Sequence, residues 1–290
     1  MSWRVVVIRN RAKLELRMNH LVVRNESETR IHLNEMSVLI VEDTSVSITA
    51  ALLSEMAKRK IKVVFCDEKR MPSSELVPYY GSHDTSEKVK KQTEWKDETK
   101  QKVWSDIVRE KITKQAQLLA LLGRSESALL LKWAEETENN DITNREGAAA
   151  KVYFAAVFGS EFTREKSCAI NAALNYGYTI LLSAFNREVV SNGYITQLGI
   201  CHRNKFNQFN LSSDIMEPFR PICDRAVYEM YPVEFGNDEK KQLADILNEE
   251  VVIDGKKQYV NNAIKIYTKS VLDALSEDNS EIIRFYENEL

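Results

Sequence analysis

The spacing of the hydrophobic residues changes near residue 80, and this change constrains the fold more than any other feature of the chain. Before it, short segments rich in β-branched residues follow one another: RVVVIRN, KLELRM, HLVVRN, TRIHL and SVLIVED. Such segments are typical of strands. Beyond Gly81 the hydrophobic residues recur at helical spacing almost throughout, as in the stretch 87–122. The sequence therefore predicts an α+β fold, in which a small β-rich, β-sandwich-like N-terminal domain precedes a larger all-α domain.

Turn and cap signals divide the chain further. Only a few residues separate the first four strand segments, which favours an antiparallel meander. Thr44 or Ser45 can cap a helix across VSITAALLSEMAKRK, and IKVVFCD returns as a strand. The stretch 71–80 contains two prolines and two serines and is typical of a linker. We therefore predict a β-rich domain over 1–75, a linker over 76–90 and a helical domain over 91–290.

The composition excludes several classes of protein. Hydrophobic residues make up 43% of the chain and charged residues 29%, as in soluble globular proteins. No run approaches the ~18 apolar residues of a membrane span, and the apolar run near the N-terminus is too short for a secretory signal. Four cysteines without CxxC spacing predict reduced thiols and a cytoplasmic protein.

Charge and glycine motifs narrow the choice of function. A net charge of −3 excludes a globally basic nucleic-acid binder, although local basic faces remain compatible with it. The glycine motifs of dinucleotide and P-loop sites do not occur, and neither does the GxSxG elbow of hydrolases.

Two residues in the helical half could carry chemistry, and each also has a structural interpretation. Glu146 follows Thr143 by three residues, the spacing of a capping box in which its side chain would bond to a backbone amide. The small residues after it, GAAA, would instead let a ligand come close. His202 alone is typical of a structural histidine, but Arg203, Lys205 and several amides in CHRNKFNQFN could bind phosphate oxygens. The local sequence leaves both interpretations open.

The segment NLSSDIMEPFRP combines two acids with hydrophobic residues. Asp214 and Glu217 are three residues apart, so on a helix they share a face. Ser212 or Ser213 could instead cap a helix whose first turn carries the acids. Pro218 predicts that a helix starts here or is kinked. One imidazole with two or three carboxylates suits Mg²⁺ or Mn²⁺, and beside cationic side chains it predicts metal-assisted phosphoryl transfer on nucleic acid.

Three segments resemble the CRISPR-associated adaptation integrase family in its type II form: ITNREGAAAKVYF, NAALNYGYTILL and LGICHRNKFNQFNLSSDIMEPFRP. The resemblance covers essentially the whole chain. It implies a homodimer formed through the N-terminal domain, with two dimers bridged by a dimer of a small partner protein into a heterohexamer. It also implies that a 3′-hydroxyl of spacer DNA attacks a phosphodiester of the repeat array, and related members act as metal-dependent endonucleases. The other partners it implies are double-stranded DNA, the type II effector nuclease and an adaptation protein that binds DNA ends.

The resemblance also assigns roles to particular residues. It implies that Mg²⁺ or Mn²⁺ is held by Glu146, His202 and Glu217, with Asp214 as the other acid of that motif. It implies that the site is lined by Asn171, Asn175, Tyr176 and Tyr178. From their chemistry alone, we predict that DNA is contacted by Arg203, Lys205, Arg220 and Arg225. The alternatives are a structure-specific nuclease that uses water at the same site, and a non-catalytic DNA-binding scaffold whose acids only cap helices.

Overall fold

The N-terminal region consists of two four-stranded sheets in the computed structural model, which describes residues 4–78 and 82–287. The strands are β1 Arg4–Ile8, β2 Lys13–Arg17, β3 His20–Arg24, β4 Glu28–His32, β5 Met36–Val41, β6 Ser47–Ile48, β7 Lys62–Cys66 and β8 Pro72–Leu76. The first sheet has the order β1-β5-β7-β8, and the second has the order β4-β3-β2-β6. Leu14 and Leu21 of the second sheet share a buried core with Val6 and Leu39 of the first. This arrangement confirms the predicted β-sandwich-like region.

Strand β1 does not join the predicted antiparallel meander. Strands β2, β3 and β4 do pair antiparallel in chain order, but β1 runs parallel to β5, and β5 runs parallel to β7. Parallel strands need cover on both faces, and β5, MSVLIV, is buried at every position. Its successive side chains belong to two cores, because Leu39 faces the second sheet and Ile40 faces the helical region. The prediction for β1 is therefore wrong, and the unbroken hydrophobic run in β5 is the signal for a central parallel strand.

The first helix, α1, spans Ala50–Lys58 and begins later than predicted. Its cap is Thr49, whose side chain accepts a hydrogen bond from the amide of Leu52 at 3.4 Å. Ser45 instead donates from its own amide to Asp43 at 2.8 Å, within a turn. The short strand β6 then pairs with β2 and delays the helix. The predicted cap at Thr44 or Ser45 is therefore wrong.

Regular structure occupies much of the region predicted as a linker. Strand β8 pairs antiparallel with β7, and its first residue is Pro72, a position where an edge strand tolerates proline. Helix α2 then begins at Thr85. Residues 77, 78 and 82–84 form the connection between them. Residues 79–81 lie outside the described residues, so the structure bears on the predicted linker only in part.

The C-terminal region is built around two long helices, α3 with 25 residues and α6 with 23 residues. Its helices are α2 Thr85–Thr93, α3 Asp97–Leu121, α4 Glu126–Glu135, α5 Arg145–Phe158, α6 Ala169–Ser191, α7 Asn210–Ile215, α8 Arg220–Met230, α9 Asn237–Asp245 and α10 Val260–Glu277. A hairpin of β9 Glu250–Ile253 and β10 Lys256–Tyr259 interrupts them. The region is thus predominantly helical, as predicted, but it is not all-α.

One continuous hydrophobic core joins the helices to the first sheet. Val38, Ile40 and Val64 of that sheet belong to the same buried cluster as Leu181 and Phe185 of α6. The first sheet is therefore the middle layer between the second sheet and the helices. Among the described residues, no helix combines the length and the hydrophobicity needed to cross a bilayer.

Candidate active site

Glu146 and Glu217 come together at a single buried lysine. The Nζ of Lys111, on α3, lies 2.6 Å from Oε1 of Glu146 at the start of α5. The same Nζ lies 2.5 Å from Oε2 of Glu217, which follows α7 in a 3-10 turn. Lys111 and Glu217 are buried, and the Glu146 side chain is 23% exposed. Two acids 71 residues apart in the sequence therefore share one positive charge.

Glu146 reaches Lys111 because other residues cap its helix. The N-cap of α5 is Asn144, whose side chain accepts a hydrogen bond from the amide of Gly147. The Asp141 carboxylate accepts two more, from the amides of Arg145 at 2.7 Å and Glu146 at 3.0 Å. The predicted capping box from Thr143 to Glu146 is therefore wrong. With the first turn satisfied by Asn144 and Asp141, the Glu146 carboxylate is left to bind Lys111.

Pro218 breaks the chain into two helices around Glu217, as one of the sequence predictions required. Helix α7 ends at Ile215, a 3-10 turn covers Glu217–Phe219, and α8 starts at Arg220. Ser212 lies inside α7, so the predicted serine cap is wrong. The turn brings Arg220 back to Glu217, with Nε donating to Oε1 at 2.9 Å. Glu217 thus lies between two cations.

Asp214 is completely buried and holds the loop that carries His202. Its carboxylate accepts hydrogen bonds from the backbone amides of Ile200 at 2.6 Å, Cys201 at 2.9 Å and His202 at 3.2 Å. It also contacts Nδ1 of the His202 ring. This contact fixes the ring and leaves Nε2 to face another partner. The structure therefore gives Asp214 four partners of its own, all of which belong to the loop.

Neighbouring opposite charges stabilise the charged forms of Lys111 and Glu217 although both side chains are buried. Burial alone would lower the pKa of Lys111, but the carboxylates of Glu217 and Glu146 outweigh it and raise that pKa. Burial would raise the pKa of Glu217, but Arg220 and Lys111 together lower it. The hydrogen bond to Asp214 raises the pKa of the His202 imidazole. Glu217 and Lys111 are consequently charged at neutral pH.

We expect Gly199→Ala to displace the loop that carries His202. A Cβ at position 199 would lie 2.5 Å from the His202 carbonyl oxygen and 2.7 Å from Oδ2 of Asp214. One of these atoms is backbone and the other is fixed by its hydrogen bonds, so the loop must move. We predict that the free energy of unfolding falls by about 1–3 kcal/mol in urea denaturation. The NMR resonance of the ring proton between His202 and Asp214 should also disappear.

Gly236→Ala is the matched control for this change. A Cβ there meets only the far end of the Glu239 side chain, at 3.3 Å, and that side chain can move aside. Wild-type stability together with an unchanged ring resonance in Gly199→Ala would contradict the placement of the loop.

The residues predicted to line the site are divided between three places. Asn171 and Asn175 each accept hydrogen bonds from Arg164. Tyr178 donates to Asp224, and the guanidinium of Arg220 lies over its ring at 4.5 Å. Tyr178 therefore packs against Arg220, the arginine that binds Glu217, and does not itself contact Glu217. Tyr176 points to the first sheet instead, where its hydroxyl donates to Glu42 at 3.0 Å.

The four cations predicted to contact DNA also separate. Arg203 and Lys205 are exposed on a cleft of about 740 Å³ that His202 also lines. Arg220 is mostly buried against Glu217, and Arg225 pairs with Glu249 at 2.5 Å. Of these four cations, Arg203 and Lys205 are therefore the two whose charged groups are available to a ligand. Phe206, 83% exposed, lies beside them.

The donor set of the site fits a hard divalent cation, although a lysine lies at its centre. Within residues 4–78 and 82–287, no group of three His, Cys, Asp or Glu side chains is close enough together to hold a metal ion. Glu146 and Glu217 nevertheless already converge on one positive charge. The pKa of His202 is raised first by its hydrogen bond to Asp214 and also by these two carboxylates. Carboxylate oxygens with one imidazole nitrogen match the preference of Mg²⁺ or Mn²⁺.

Sequence reasoning missed Lys111 and Asp141, the two residues that hold Glu146 in position. Lys111 follows the buried Ile107 by four residues on α3, so both fall on the same helical face. A lysine on a buried face needs a charged partner, and this was the available signal. The sequence around Asp141 contains no comparable signal. Asp141 lies in an irregular turn, where its backbone has a φ of +48°, and such a turn has no regular spacing to identify its role.

The chain is similar in sequence to a family of CRISPR-associated proteins and similar in fold to several solved structures. The model of a family described as "CRISPR associated protein Cas1" matches residues 5–235. The CRISPR-associated endonuclease Cas1 of Neisseria meningitidis serogroup C (strain 8013) is 37% identical over 233 residues, which are 80% of this chain and 77% of that one. A casposase bound to its integration product has a similar fold, with a TM-score of 0.77, 16% identity, and coverage of 96% and 92% of the two chains. A Cas6-RT-Cas1–Cas2 complex contains a chain that matches with a TM-score of 0.76 and 16% identity over 99% of this chain and 36% of that one.

Proposed function

This chain belongs to the Cas1 family of CRISPR-associated proteins, and we propose that it is a metal-dependent DNA integrase that inserts spacer DNA into a CRISPR repeat array. A 3′-hydroxyl of the incoming DNA attacks a phosphodiester of the repeat, so one ester bond forms as another breaks. No covalent bond to the protein is needed. The observation that carries this proposal is the convergence of Glu146 and Glu217 on one positive charge, together with a cleft that is lined by His202 and exposed cations.

Mg²⁺ or Mn²⁺ would be held by Glu146, Glu217 and Nε2 of His202. When bound, the ion would activate the attacking hydroxyl and stabilise the leaving oxygen. Asp214 acts on the metal only through His202, because its carboxylate is occupied by three backbone amides and the ring Nδ1. Of the two acids in NLSSDIMEPFRP, we therefore assign Glu217 as the ligand and Asp214 as the residue that orients the histidine.

The DNA backbone would be bound by Arg203 and Lys205 on the cleft. Both are exposed and lie within a few residues of His202, so a phosphodiester bound by them is near the proposed metal. Arg220 and Arg225 contribute through their partners Glu217 and Glu249 rather than by direct DNA contact. Since phosphate binding releases counterions, the affinity for DNA should fall steeply with salt.

The assembly proposed for this chain is a homodimer formed through the β-rich region. Two such dimers would be bridged by a dimer of a small partner protein into a heterohexamer. The fold similarity to a chain of a Cas6-RT-Cas1–Cas2 complex supports a partner of this kind. The type II effector nuclease and a DNA-end-binding adaptation protein are proposed as further partners, in the cytoplasm.

A strand-transfer assay tests the proposed function. Labelled DNA with a free 3′-hydroxyl, a repeat-containing plasmid, the small partner and Mn²⁺ should give joined product with the wild-type chain. We expect Glu146→Ala and His202→Ala each to abolish the product, because each removes a proposed ligand. Glu161→Ala is the control, since Glu161 is exposed and lies just beyond the opposite end of α5.

The alternatives give different outcomes in the same assay. Cleavage without joining would favour a structure-specific nuclease that uses water as the nucleophile. Binding of DNA with neither product would favour a non-catalytic scaffold. Joined product that persists in both alanine variants would contradict the site assignment.

A further inference from the structure

The candidate site is charge-balanced without a metal ion. Glu146 and Glu217 contribute two negative charges, while Lys111 and Arg220 contribute two positive charges. Lys111 and Glu217 are buried, so water screens this group poorly. A divalent cation added to the group as it stands would leave two uncompensated positive charges in a buried place. Displacement of one resident cation when the ion enters would reduce this excess to a single positive charge.

Lys111 is the cation that can move. The guanidinium of Arg220 is fixed from two sides, by Glu217 at 2.9 Å and by the ring of Tyr178 at 4.5 Å. Among the described residues, the ammonium of Lys111 contacts only the two carboxylates. It is also a compact charge on a flexible four-carbon stem, which can withdraw without disturbing the helix.

We propose that Lys111 is the internal counter-ion of this site, that its ammonium takes the place of the divalent metal between Glu146 and Glu217, and that metal binds only by displacing it. This inference rests on the proposed function, because it takes these two carboxylates as metal ligands. In the metal-free protein, the lysine keeps two like charges together and so preserves the geometry of the site. The same contact makes the protein bind metal more weakly than its carboxylates alone would.

Mn²⁺ binding to the full chain, measured without DNA from the EPR signal of the free ion, tests the proposal. Methionine at position 111 fills similar space without the charge, so we expect Lys111→Met to bind Mn²⁺ at least tenfold more tightly than wild type. Lys114→Met is the matched control, because Lys114 is equally buried one turn further along α3. It pairs with Glu110 at 2.9 Å and lies over Tyr286, away from the two carboxylates. Equal or weaker Mn²⁺ binding by Lys111→Met than by wild type would overturn the proposal.

Thermal unfolding gives a second readout that does not depend on activity. Without metal, Lys111→Met leaves the carboxylates of Glu146 and Glu217 facing each other with no cation between them, so its Tm should be lower than that of wild type. Mn²⁺ should then raise the Tm of the variant by more than it raises that of wild type. If this variant does not fold without metal, Lys111→Arg replaces it in the test. That variant retains the charge and should bind Mn²⁺ no more tightly than wild type, whereas a tenfold gain would overturn the counter-ion role.

Two further variants separate this inference from the proposed function. Glu146→Gln and Glu217→Gln should each weaken Mn²⁺ binding. If neither does, these carboxylates are not metal ligands and the proposed function fails with the inference. If both weaken binding while Lys111→Met leaves it unchanged, the metal site stands and the counter-ion role alone is wrong.

Discussion

Glu217→Gln is expected to reduce strand transfer on the order of a thousandfold, the scale of losing one group that stabilises charge in a transition state. Glutamine keeps the shape of the side chain but removes its charge. Arg220 would then lose its carboxylate partner, and Lys111 would keep only that of Glu146. The site would carry a net positive charge before any metal arrives, so Mn²⁺ affinity should fall together with the rate. The measurement is the initial rate of joined product at saturating DNA over a Mn²⁺ titration.

Glu249→Gln is the matched control for this variant. Glu249 is a partly buried glutamate that, like the more deeply buried Glu217, binds an arginine of α8. Its Oε2 lies 2.5 Å from Arg225, and it has no contact with Lys111. It should retain strand transfer within a few-fold of wild type. A Glu217→Gln protein with wild-type rate and Mn²⁺ affinity would instead assign the third ligand to Asp214.

The sequence was sufficient to predict the fold class because hydrophobic period depends on local geometry. Short β-branched segments form the two N-terminal sheets, and the 3.6-residue period forms helices α2 to α10. The sequence was not sufficient to predict the pairing of β1 with β5. The paired residues are 32 or 33 positions apart, and the pairing depends on which strand is buried on both faces. Local composition also suggested a linker where β8 lies, because an edge strand can contain serine and proline.

The site was predictable only in part, and the reason differs between its residues. Glu146, His202 and Glu217 belong to short segments that resemble a family, so they could be identified without knowing their neighbours. Lys111, the partner of Glu146 and Glu217, could not be identified from the sequence. Helix α3 carries several lysines, and only Lys111 contacts both acids in the folded chain. Neither could the roles of Asp214 and Glu217 be separated. Both are acids in one short segment, and they differ only in what the fold brings to them.

Asp214→Asn should cost both stability and activity, in a way that metal does not restore. An amide offers one oxygen and one NH₂ where the carboxylate accepts from three backbone amides, so at least one buried N–H would face another donor. Hydrogen bonds to charged groups contribute about 1.5–3 kcal/mol each, so we expect the free energy of unfolding to fall by about 3 kcal/mol or more. Loss of the contact to Nδ1 should also reduce strand transfer by about 10–100-fold, the range for residues that orient a metal-ligating histidine.

Asp224→Asn provides the contrast that isolates this effect, because Asp224 is equally buried but differently partnered. Burial raises the pKa of Asp224 to about 6, although hydrogen bonds from Tyr178 and Tyr153 oppose the rise, so its charge is already weakly held. Those hydroxyls can rotate to suit an amide, whereas the backbone amides around Asp214 cannot. Urea denaturation at pH 6, with and without Mn²⁺, should therefore show a small loss for Asp224→Asn and a large, metal-independent loss for Asp214→Asn. If the loss for Asp214→Asn appeared only with Mn²⁺ present, the carboxylate would be acting on the metal directly and not through the His202 loop.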